Sequence, residues 1–343
     1  MEYGFEVQSR FHERYSPITR KIFRLLSENS RASISEMSNA LGISRRTISE
    51  RLKKLETESG LKYTLELNEA NLGLNNPHLI LVKFDGKPDY AKIKEMLHSS
   101  YIPQLAVTMK GSEQMIIYAN AKTGKEYAHW DRSMRMMLAK YKPSWQPSEV
   151  AHRQLGFFPL RSEIIEKSTM PEKYKPMLKL LNRDSRMSFQ DISKELNMNF
   201  NTAAYNFNNL KKMSYIDRFT ATIGMPQGMS FVAFFSKYTP SEGYEKASAE
   251  ARRAFTSDDD NPMVSRYLIT APLIGSYDFF GIGAFDSMES AQKHGISYHK
   301  KLFKRYNVRM AHGELKEVLL GSLPVRSLDN KNDYKAISWN PGE

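Results

Sequence analysis

The chain has 343 residues, 41% of them hydrophobic, and a formal net charge of +12 that comes from 50 lysines and arginines against 38 acidic residues. This length suits several domains rather than one core, and the positive charge favours a polyanionic partner. The lack of cysteine excludes disulfides and thiolate chemistry. No apolar run approaches the roughly 20 residues of a membrane helix, and the charged start is unlike a signal peptide, so we expect a cytoplasmic protein without membrane contact.

Residues 1–68 are predicted to form a winged helix-turn-helix. Apolar residues recur at helical spacing from residue 18 to residue 26, and Ser33-Ile-Ser-Glu36 has the pattern of a capping box. Gly42 can end the second helix and Ser44 can cap the third. Three short helices with a glycine turn before the last one predict a helix-turn-helix. The alternating segment Lys62–Asn68 is expected to form the wing.

Residues 77–165 have the order of predicted strands and helices that is typical of a ferredoxin-like domain. Strands are predicted over Leu79–Phe84, Leu105–Met109 and Met115–Ala119 and within Ala151–Phe158, and helices over Tyr90–Ser99 and Glu126–Tyr141. The order strand, helix, strand, strand, helix, strand is the ferredoxin-like order. An antiparallel sheet of this kind has helices on one face and can pack its other face on a partner.

The second half of the chain repeats the first. Leu25–Leu55 and Leu180–Leu210 share nine identical residues at a constant offset of 155, a domain-sized repeat. After a linker near Lys167–Pro171, a second helix-turn-helix is predicted at 172–223 and a second ferredoxin-like domain at 229–321. The predicted class is therefore α+β, a tandem repeat of a winged helix-turn-helix and a ferredoxin-like domain. The second domain's predicted segments are Phe231–Ser236, Gly243–Phe255, Val264–Thr270, Tyr277–Phe285, Met288–Tyr306 and Leu315–Leu320, with a polar loop at Thr256–Pro262 and a tail at 322–343.

The third helix of the first helix-turn-helix carries the candidate DNA-binding residues. Between Ser44 and Leu55, five cations accompany one acidic residue, Glu50. Arginines near the start of such a helix meet base edges in the major groove, where each can bind one guanine through two hydrogen bonds. Lysines further along suit phosphates; the simpler alternative is a solvated basic face. The predicted DNA-binding residues are Ser44, Arg45, Arg46, Thr47, Ser49, Arg51, Lys53, Lys54 and Lys62.

The corresponding helix of the second half has lost its charge. Asn199–Leu210 contains no Lys, Arg, Asp or Glu. Asparagine can read adenine through a two-bond contact, but Phe200, Tyr205 and Phe207 add apolar surface that is more typical of a protein contact. The sequence favours a structural or protein-facing copy, with contact to AT-rich DNA as the alternative.

The motifs together resemble the Lrp/AsnC family of transcriptional regulators. The resemblance rests on Ser33-Ile-Ser-Glu-Met, Leu41-Gly-Ile-Ser44, Arg51-Leu-Lys-Lys-Leu55 and Gly275-Ser-Tyr-Asp278, and it covers about residues 17–321. It implies a regulator that binds double-stranded DNA in the nucleoid. Members dimerise through their ferredoxin-like sheets and several bind amino acids. Two fused units imply a pseudo-dimer within one chain, with a homodimer of such chains as the expected assembly.

By the same resemblance, an amino-acid effector would lie at two hairpin turns. The candidate effector-binding residues are Gly111, Glu113, Gly275, Tyr277 and Asp278, where a carboxylate could bind the ammonium group of the effector. The first turn has Glu113-Gln114 in place of Tyr277-Asp278, and glycine at a hairpin turn needs no ligand to explain it. A structural role for both turns is therefore the competing reading.

Two other functional classes compete with the regulator. Tandem chains of this kind also resemble siroheme decarboxylases, enzymes that act on a tetrapyrrole. The eight histidines show no metal-ligand spacing, and the chain has no phosphate-binding glycine loop and no nucleophile elbow. The sequence therefore predicts no enzymatic activity, no cofactor and no metal. A co-regulator that does not bind DNA is the third class, suggested by the neutral second copy.

Overall fold

The computed structural model describes residues 16–110, 114–151, 160–222, 230–240, 267–285, 287–293 and 306–321. These residues have the predicted α+β fold, with a helix-turn-helix at the N-terminus and a large antiparallel sheet closed into a barrel. The helix expected over Gly243–Phe255, the loop Thr256–Pro262 and the tail 322–343 lie outside the described residues. No helix in the described part is long and apolar enough to cross a bilayer.

The first helical unit forms as its local sequence predicts. The Oγ of Ser33 accepts from the N–H of Glu36 at 3.1 Å, and the N–H of Ser33 donates to the Glu36 carboxylate at 2.7 Å. This donation from the Ser33 N–H holds the pKa of Glu36 below its usual value. Gly42, at φ 66°, ends the second helix in the left-handed region that glycine adopts without strain. The unit comprises α1 Pro17–Glu28, α2 Ile34–Leu41, α3 Arg45–Ser59 and β1 Lys62–Leu67.

The second helical unit has the same order of helices around its own core. Ile192, Ala203, Phe207 and Leu210 are buried there. Before it the chain forms a short helix that the sequence analysis did not predict. The elements are α6 Ser162–Lys167, a 3₁₀ turn at Glu172–Tyr174, α7 Lys175–Arg183, α8 Phe189–Glu195, α9 Phe200–Lys212 and β6 Ile216–Thr222.

The strand predicted over Lys62–Asn68 forms as β1 and pairs with a strand of the second helical unit. β1 and β6 form a two-stranded antiparallel sheet in which Tyr63 lies opposite Ala221 and Leu65 lies opposite Phe219. Each helical unit contributes one strand, so the wing strand of the first unit is completed by the second unit rather than by a hairpin of its own. The strands therefore join the two units.

Eight further strands form a closed antiparallel barrel in the order β10-β3-β4-β2-β5-β8-β9-β7. The four strands of each half keep the ferredoxin-like neighbour order, with β2 between β4 and β5, and β7 between β9 and β10. The elements of the first half are β2 Asn76–Phe84, α4 Tyr90–His98, β3 Pro103–Met109, β4 Gln114–Ala121, α5 Gly124–Leu138, a 3₁₀ turn at Ala139–Tyr141 and β5 Pro143–Val150. Those of the second half are β7 Ser230–Pro240, β8 Tyr267–Gly275, β9 Phe279–Phe285, a helical stretch at 288–293 and β10 Tyr306–Leu320.

Two seams close the barrel between the halves. At one seam Leu315 of β10 lies opposite Met109 of β3, and at the other Ser148 of β5 lies opposite Gly275 of β8. The interior is filled by alternate side chains from both halves, including Leu81, Val107, Phe235 and Phe280. On the outer face, α4 and α5 cover the remaining alternate residues of β2 and β4, such as Ile80 and Ile117.

Two strand predictions were wrong in position. The fourth strand of the first half is Pro143–Val150 and not a segment of Ala151–Phe158, of which residues 152–158 lie outside the described range. Two prolines hide this strand, because proline normally argues against an internal strand. The last strand begins at Tyr306 and not at Leu315, so the predicted helix Met288–Tyr306 ends before Tyr306. Its first nine residues pair with β7, a contact that the local sequence does not specify.

Reciprocal contacts hold the two helical units together. The hydroxyls of Ser30 and Ser185, which are equivalent residues of the repeat, lie 2.6 Å apart. Arg31 donates to the carbonyls of Ser185 and Met187 at 2.5 and 3.2 Å, and Arg186 donates to the carbonyl of Ala32 at 2.8 Å. The guanidinium of Arg31 also lies among three phenylalanine rings, 5.0 Å from the closest ring centre. Burial lowers the pKa of Arg31. The relative position of the two units is therefore fixed by specific contacts.

We predict that Arg31→Ala lowers the free energy of unfolding by about 2–4 kcal/mol, because two carbonyls lose a charged donor and the rings lose a cation. Guanidinium chloride denaturation of the full chain measures the change. Lys21→Ala, at an exposed position of α1, is the matched control. An Arg31→Ala curve that coincides with the control curve would show that the contact does not stabilise the fold.

Candidate functional site

α3 presents a basic face opposite its buried face. Ile48, Leu52 and Leu55 pack into the core, with 0, 5 and 3% of their surface exposed. Because a helix repeats every 3.6 residues, the polar residues between them lie on the other side. The exposed members of the predicted DNA-binding set on this helix are Arg45, Arg46, Ser49, Lys53 and Lys54.

The cations of this face are held only by weak surface contacts. Arg46 pairs with Glu50 at 2.9 Å, and the two side chains are 89 and 62% exposed. Arg45 donates to the Ser35 hydroxyl at 2.8 Å. Exposed ion pairs contribute roughly 0–1 kcal/mol. Both guanidinium groups can therefore exchange these partners for a phosphate or a base at small cost.

The remaining predicted residues have different surroundings. Ser44 is the N-cap of α3, and its Oγ accepts from the N–H of Thr47 at 3.1 Å. The cap satisfies one of the free N–H groups at the start of α3. Arg51 turns toward α1 and is half-buried, 3.4 Å from the hydroxyl of Thr19. Lys62 is exposed at the start of β1, opposite Thr222. The structure thus groups Arg45, Arg46, Ser49 and the lysines of α3 and separates Arg51 from them.

The Gly275–Asp278 turn forms part of the β5–β8 seam. Gly275 has φ 131°, and a Cβ there would lie 3.1 Å from the Pro147 carbonyl oxygen. The N–H of Tyr277 donates to the Ser148 hydroxyl at 3.1 Å. The Asp278 carboxylate binds the Lys237 ammonium at 2.6 Å and the N–H of Tyr238 at 2.8 Å. The carboxylate predicted to bind an effector is therefore engaged within the protein, and the other predicted residues, Gly111 and Glu113, lie outside the described part.

Near this turn, one end of the barrel is lined by cations. On β2 the interior residues Leu79 and Leu81 are followed by Lys83 two residues later, and on β7 Phe235 is followed by Lys237. Because strand side chains alternate between faces, both lysines belong to the interior rows. Arg309 lies opposite Lys237 in the sheet. We call this end of the barrel, defined by Lys83, Lys237 and Arg309, the barrel mouth.

Tyr277 links the barrel mouth to the interior. Its hydroxyl donates to Gln146 Oε1 at 2.8 Å, and the guanidinium of Arg309 lies 5.7 Å from its ring centre. Burial raises the pKa of Tyr277, and the charge of Arg309 opposes this effect. Arg309 and Lys237 are like charges on neighbouring strands, and the Asp278 carboxylate offsets the charge of Lys237. Sequence reasoning missed the mouth, although the spacing of Lys83 after Leu79 and Leu81 contains the signal.

The described histidines and acidic residues do not assemble a metal site. No group of three or more potential metal-ligand side chains occurs in the part of the chain that the structure describes. His78 instead stacks on Tyr127 with ring centres 3.6 Å apart, and its Nδ1 lies 3.1 Å from the Asn76 carbonyl oxygen. Burial lowers the pKa of His78.

Comparisons with known proteins give a family match for the sequence of the first helical unit and similar solved structures for most of the chain. Residues 16–58 match the winged helix-turn-helix DNA-binding family. A comparison with curated protein sequences gives no significant match. The siroheme decarboxylase NirDL has a similar structure over 93% of this chain and 96% of its own, with a TM-score of 0.55 and 9% identity. Its complex with an iron-uroporphyrin III analogue gives 0.53 and 8% over the same shares. LrpC of B. subtilis covers 40% of this chain and 96% of its own, with a TM-score of 0.35 and 18% identity.

These comparisons correct the expectation that enzymes can be excluded. That expectation was wrong, because structures that match 93% of the chain are those of an enzyme. It relied on the absence of familiar catalytic motifs, whereas the likeness shows that the arrangement of this chain also occurs in a decarboxylase. The likeness concerns the fold. The winged helix-turn-helix match, in contrast, concerns the sequence of the first unit and supports DNA binding.

We predict that Gly275→Ala lowers stability by about 1–3 kcal/mol, since a Cβ at φ 131° meets backbone atoms of Pro147 and Ser148. Gly86→Ala is the control, because a Cβ at Gly86 has no atom within 4 Å. Thermal unfolding of both variants measures the difference. Equal melting temperatures would show that the seam does not need glycine here.

Proposed function

We propose that this protein is a sequence-specific transcriptional regulator of the Lrp/AsnC type that binds double-stranded DNA through α3. The basic exposed face of α3 carries the proposal, together with the winged helix-turn-helix match at residues 16–58. The net charge of +12 favours the same partner. A regulator of this kind acts where the chromosome is, so we also propose that it associates with the nucleoid.

The cations of this face would have two roles, recognition of bases and binding of phosphates. Arg45 and Arg46, at the start of α3, are placed to donate to base edges in the major groove, where guanine accepts two hydrogen bonds from one arginine. Lys53, Lys54 and Lys62 would bind phosphates and release counterions, which supplies affinity without sequence information. Ser44 fixes the first turn of α3 and so orients both arginines.

The assembly and an effector are further parts of this proposal. The two seams of the barrel support a pseudo-dimer within one chain, in which each half completes the sheet of the other. We propose that two chains form a homodimer, which size-exclusion chromatography with light scattering can test. An amino-acid effector at the Gly275–Asp278 turn would have to compete with Lys237 for the Asp278 carboxylate. Calorimetry with a panel of amino acids tests that part separately.

The test of DNA binding is the double substitution Arg45→Ala with Arg46→Ala. We expect the affinity for a selected genomic fragment to fall at least tenfold, and the slope of log K against log salt to become shallower by about 1–2. Fluorescence anisotropy at several salt concentrations measures both quantities. A co-regulator that does not recognise DNA would instead have a low affinity for the fragment, and the substitutions would leave that affinity unchanged.

The matched control for this test removes two positive charges elsewhere. Lys92 and Lys94 are exposed on α4, on the outer side of the barrel. The double variant Lys92→Ala with Lys94→Ala loses the same net charge as the arginine variant. If both double variants lose affinity equally, the effect belongs to the overall charge and the assignment of α3 as the reading helix fails.

A second candidate function is the binding of a tetrapyrrole carboxylate at the barrel mouth, as a substrate or a ligand. The observation that favours it is that Lys83, Lys237 and Arg309 belong to the same end of the barrel, where only Lys237 of the three has a described carboxylate partner. The similar fold of a siroheme decarboxylase makes a tetrapyrrole the first ligand to try. A uroporphyrin carries several carboxylates, which suit cations placed around an opening.

We predict that iron-uroporphyrin III binds the protein with a saturable shift of its main absorbance band, and that Arg309→Gln weakens this binding at least tenfold. Loss of one charge-assisted contact accounts for about 1.4 kcal/mol or more. Absorbance titration measures the affinity, and Lys94→Gln is the control on the outer surface. No saturable shift, or equal affinities of the two variants, would contradict tetrapyrrole binding at the mouth.

A further inference from the structure

The sequence of α9 differs from that of α3 by the consistent replacement of charged residues by neutral ones. Counting by the offset of 155, the cations Arg46, Arg51, Lys53 and Lys54 are replaced by Asn201, Asn206, Asn208 and Asn209. The fifth cation, Arg45, is replaced by Phe200, and Glu50 by Tyr205. All charged groups of α3 from Arg45 to Leu55 are thus exchanged for neutral ones, and four of the five cations for the same amide side chain.

The scaffold that presents the exposed face of α9 is retained. Ala203, Phe207 and Leu210 are buried at the positions equivalent to Ile48, Leu52 and Leu55, with 0, 7 and 0% exposed. Asn199 caps α9 through an acceptor contact with the N–H of Thr202 at 2.7 Å, as Ser44 caps α3. The helix therefore offers the same turns to solvent as α3. A purely structural copy would not need its exposed face arranged in this way.

The exposed residues of α9 match the chemistry of A·T base pairs. Asn201 and Asn208 are exposed amides without a described partner, and an asparagine can bind adenine through two hydrogen bonds. Phe200 and Tyr205 are 54 and 63% exposed. Such rings can contact the methyl group that thymine places in the major groove. Asn206 is only 7% exposed and lies against Met198, so it belongs to the scaffold.

The contacts between the units favour DNA over a protein as the occupant. Ser30, Arg31 and Arg186 fix the unit of α9 against the unit of α3, and β1 pairs with β6 along six registered positions. The position of α9 relative to α3 is therefore already set when α3 holds a duplex, and reading further bases of that duplex would be the task of α9. A neutral helix suits this task, because α3 supplies the attraction to phosphates and α9 needs only to distinguish bases.

We propose that α9 reads a second part of the same DNA site, and that this part is rich in A·T pairs. Asn201 and Asn208 would bind adenine, and Phe200 and Tyr205 would contact thymine methyl groups. The DNA bound by one chain is then asymmetric, with a guanine-containing half under α3 and an A·T half under α9 at a constant spacing, whereas a homodimer would bind two such stretches related by two-fold symmetry. This inference rests on the proposed function, because it requires α3 to anchor the duplex.

The experiment is selection of bound duplexes from a random pool with the full-length protein, followed by affinity measurements on the selected site. The variant Asn201→Ala with Asn208→Ala should bind that site at least tenfold more weakly, with the salt slope unchanged, because no charge is lost. Selection with this variant should keep the guanine-containing half and lose the preference for A·T pairs in the other half.

The control removes two exposed amides outside the helical units. Gln292 is exposed on the helical stretch 288–293 and Asn307 on β10, and the variant Gln292→Ala with Asn307→Ala should bind DNA like the unchanged protein. Circular dichroism of all variants checks that they are folded. Identical halves within the DNA that one chain covers, or an affinity that Asn201→Ala with Asn208→Ala leaves intact, would overturn the inference and assign α9 to a protein contact. If only the double variant Arg45→Ala with Arg46→Ala loses affinity for DNA, the inference about α9 fails and the proposed DNA binding through α3 is still supported.

Discussion

The pairing of sheet edges between the two halves is the constraint on which the other features depend. A four-stranded antiparallel sheet has two edges with unpaired N–H and C=O groups, which invite aggregation. Here β10 covers the edge of β3, and β8 covers the edge of β5. Closure also lets both sheets bury their inner faces in one core, to which both halves contribute. Either half alone would expose a hydrophobic sheet face and two strand edges, so the chain is expected to fold as a unit.

The two helical units also contact each other, but the equivalent residues on the two sides of this interface make different contacts. Arg31 and Arg186 are equivalent residues of the repeat, but Arg31 lies among three phenylalanine rings whereas Arg186 lies over the single ring of Tyr63, 4.6 Å from its centre. Both donate to carbonyls across the interface. The interface thus keeps a two-fold pattern while its two sides diverge. These contacts oppose independent motion of the two helix-turn-helix units, so the position of α9 relative to α3 is constant.

The features that could be predicted from the sequence are those that neighbouring residues decide. The Ser33–Glu36 capping box and the Gly42 turn depend on contacts within a few residues, and both are observed. The pairing of β1 with β6 depends on residues 149 to 160 positions apart, which no local pattern encodes. β5 was misplaced because Pro147 breaks the alternation, although its carbonyl still accepts from the N–H of Ser276 at 3.4 Å across the seam. The barrel mouth was missed for the related reason that Lys83 and Arg309 become neighbours of one opening only when the barrel closes.

The helical units, through which we propose DNA binding, and the barrel mouth lie at opposite ends of the same strands. The helical units precede β2 and β7, whereas Lys83 and Lys237 lie near the far ends of these strands. A ligand at the mouth would touch strands of both halves, among them β2, which follows the first helical unit in the chain, and β7, which follows the second. A ligand that changed the fit of the seams would change the relative position of the two helix-turn-helix units, and by linkage DNA would change the affinity for that ligand equally. The two proposed functions, DNA binding and small-molecule binding, are therefore compatible within one chain, because one would use the helical units and the other the opposite end of the barrel strands.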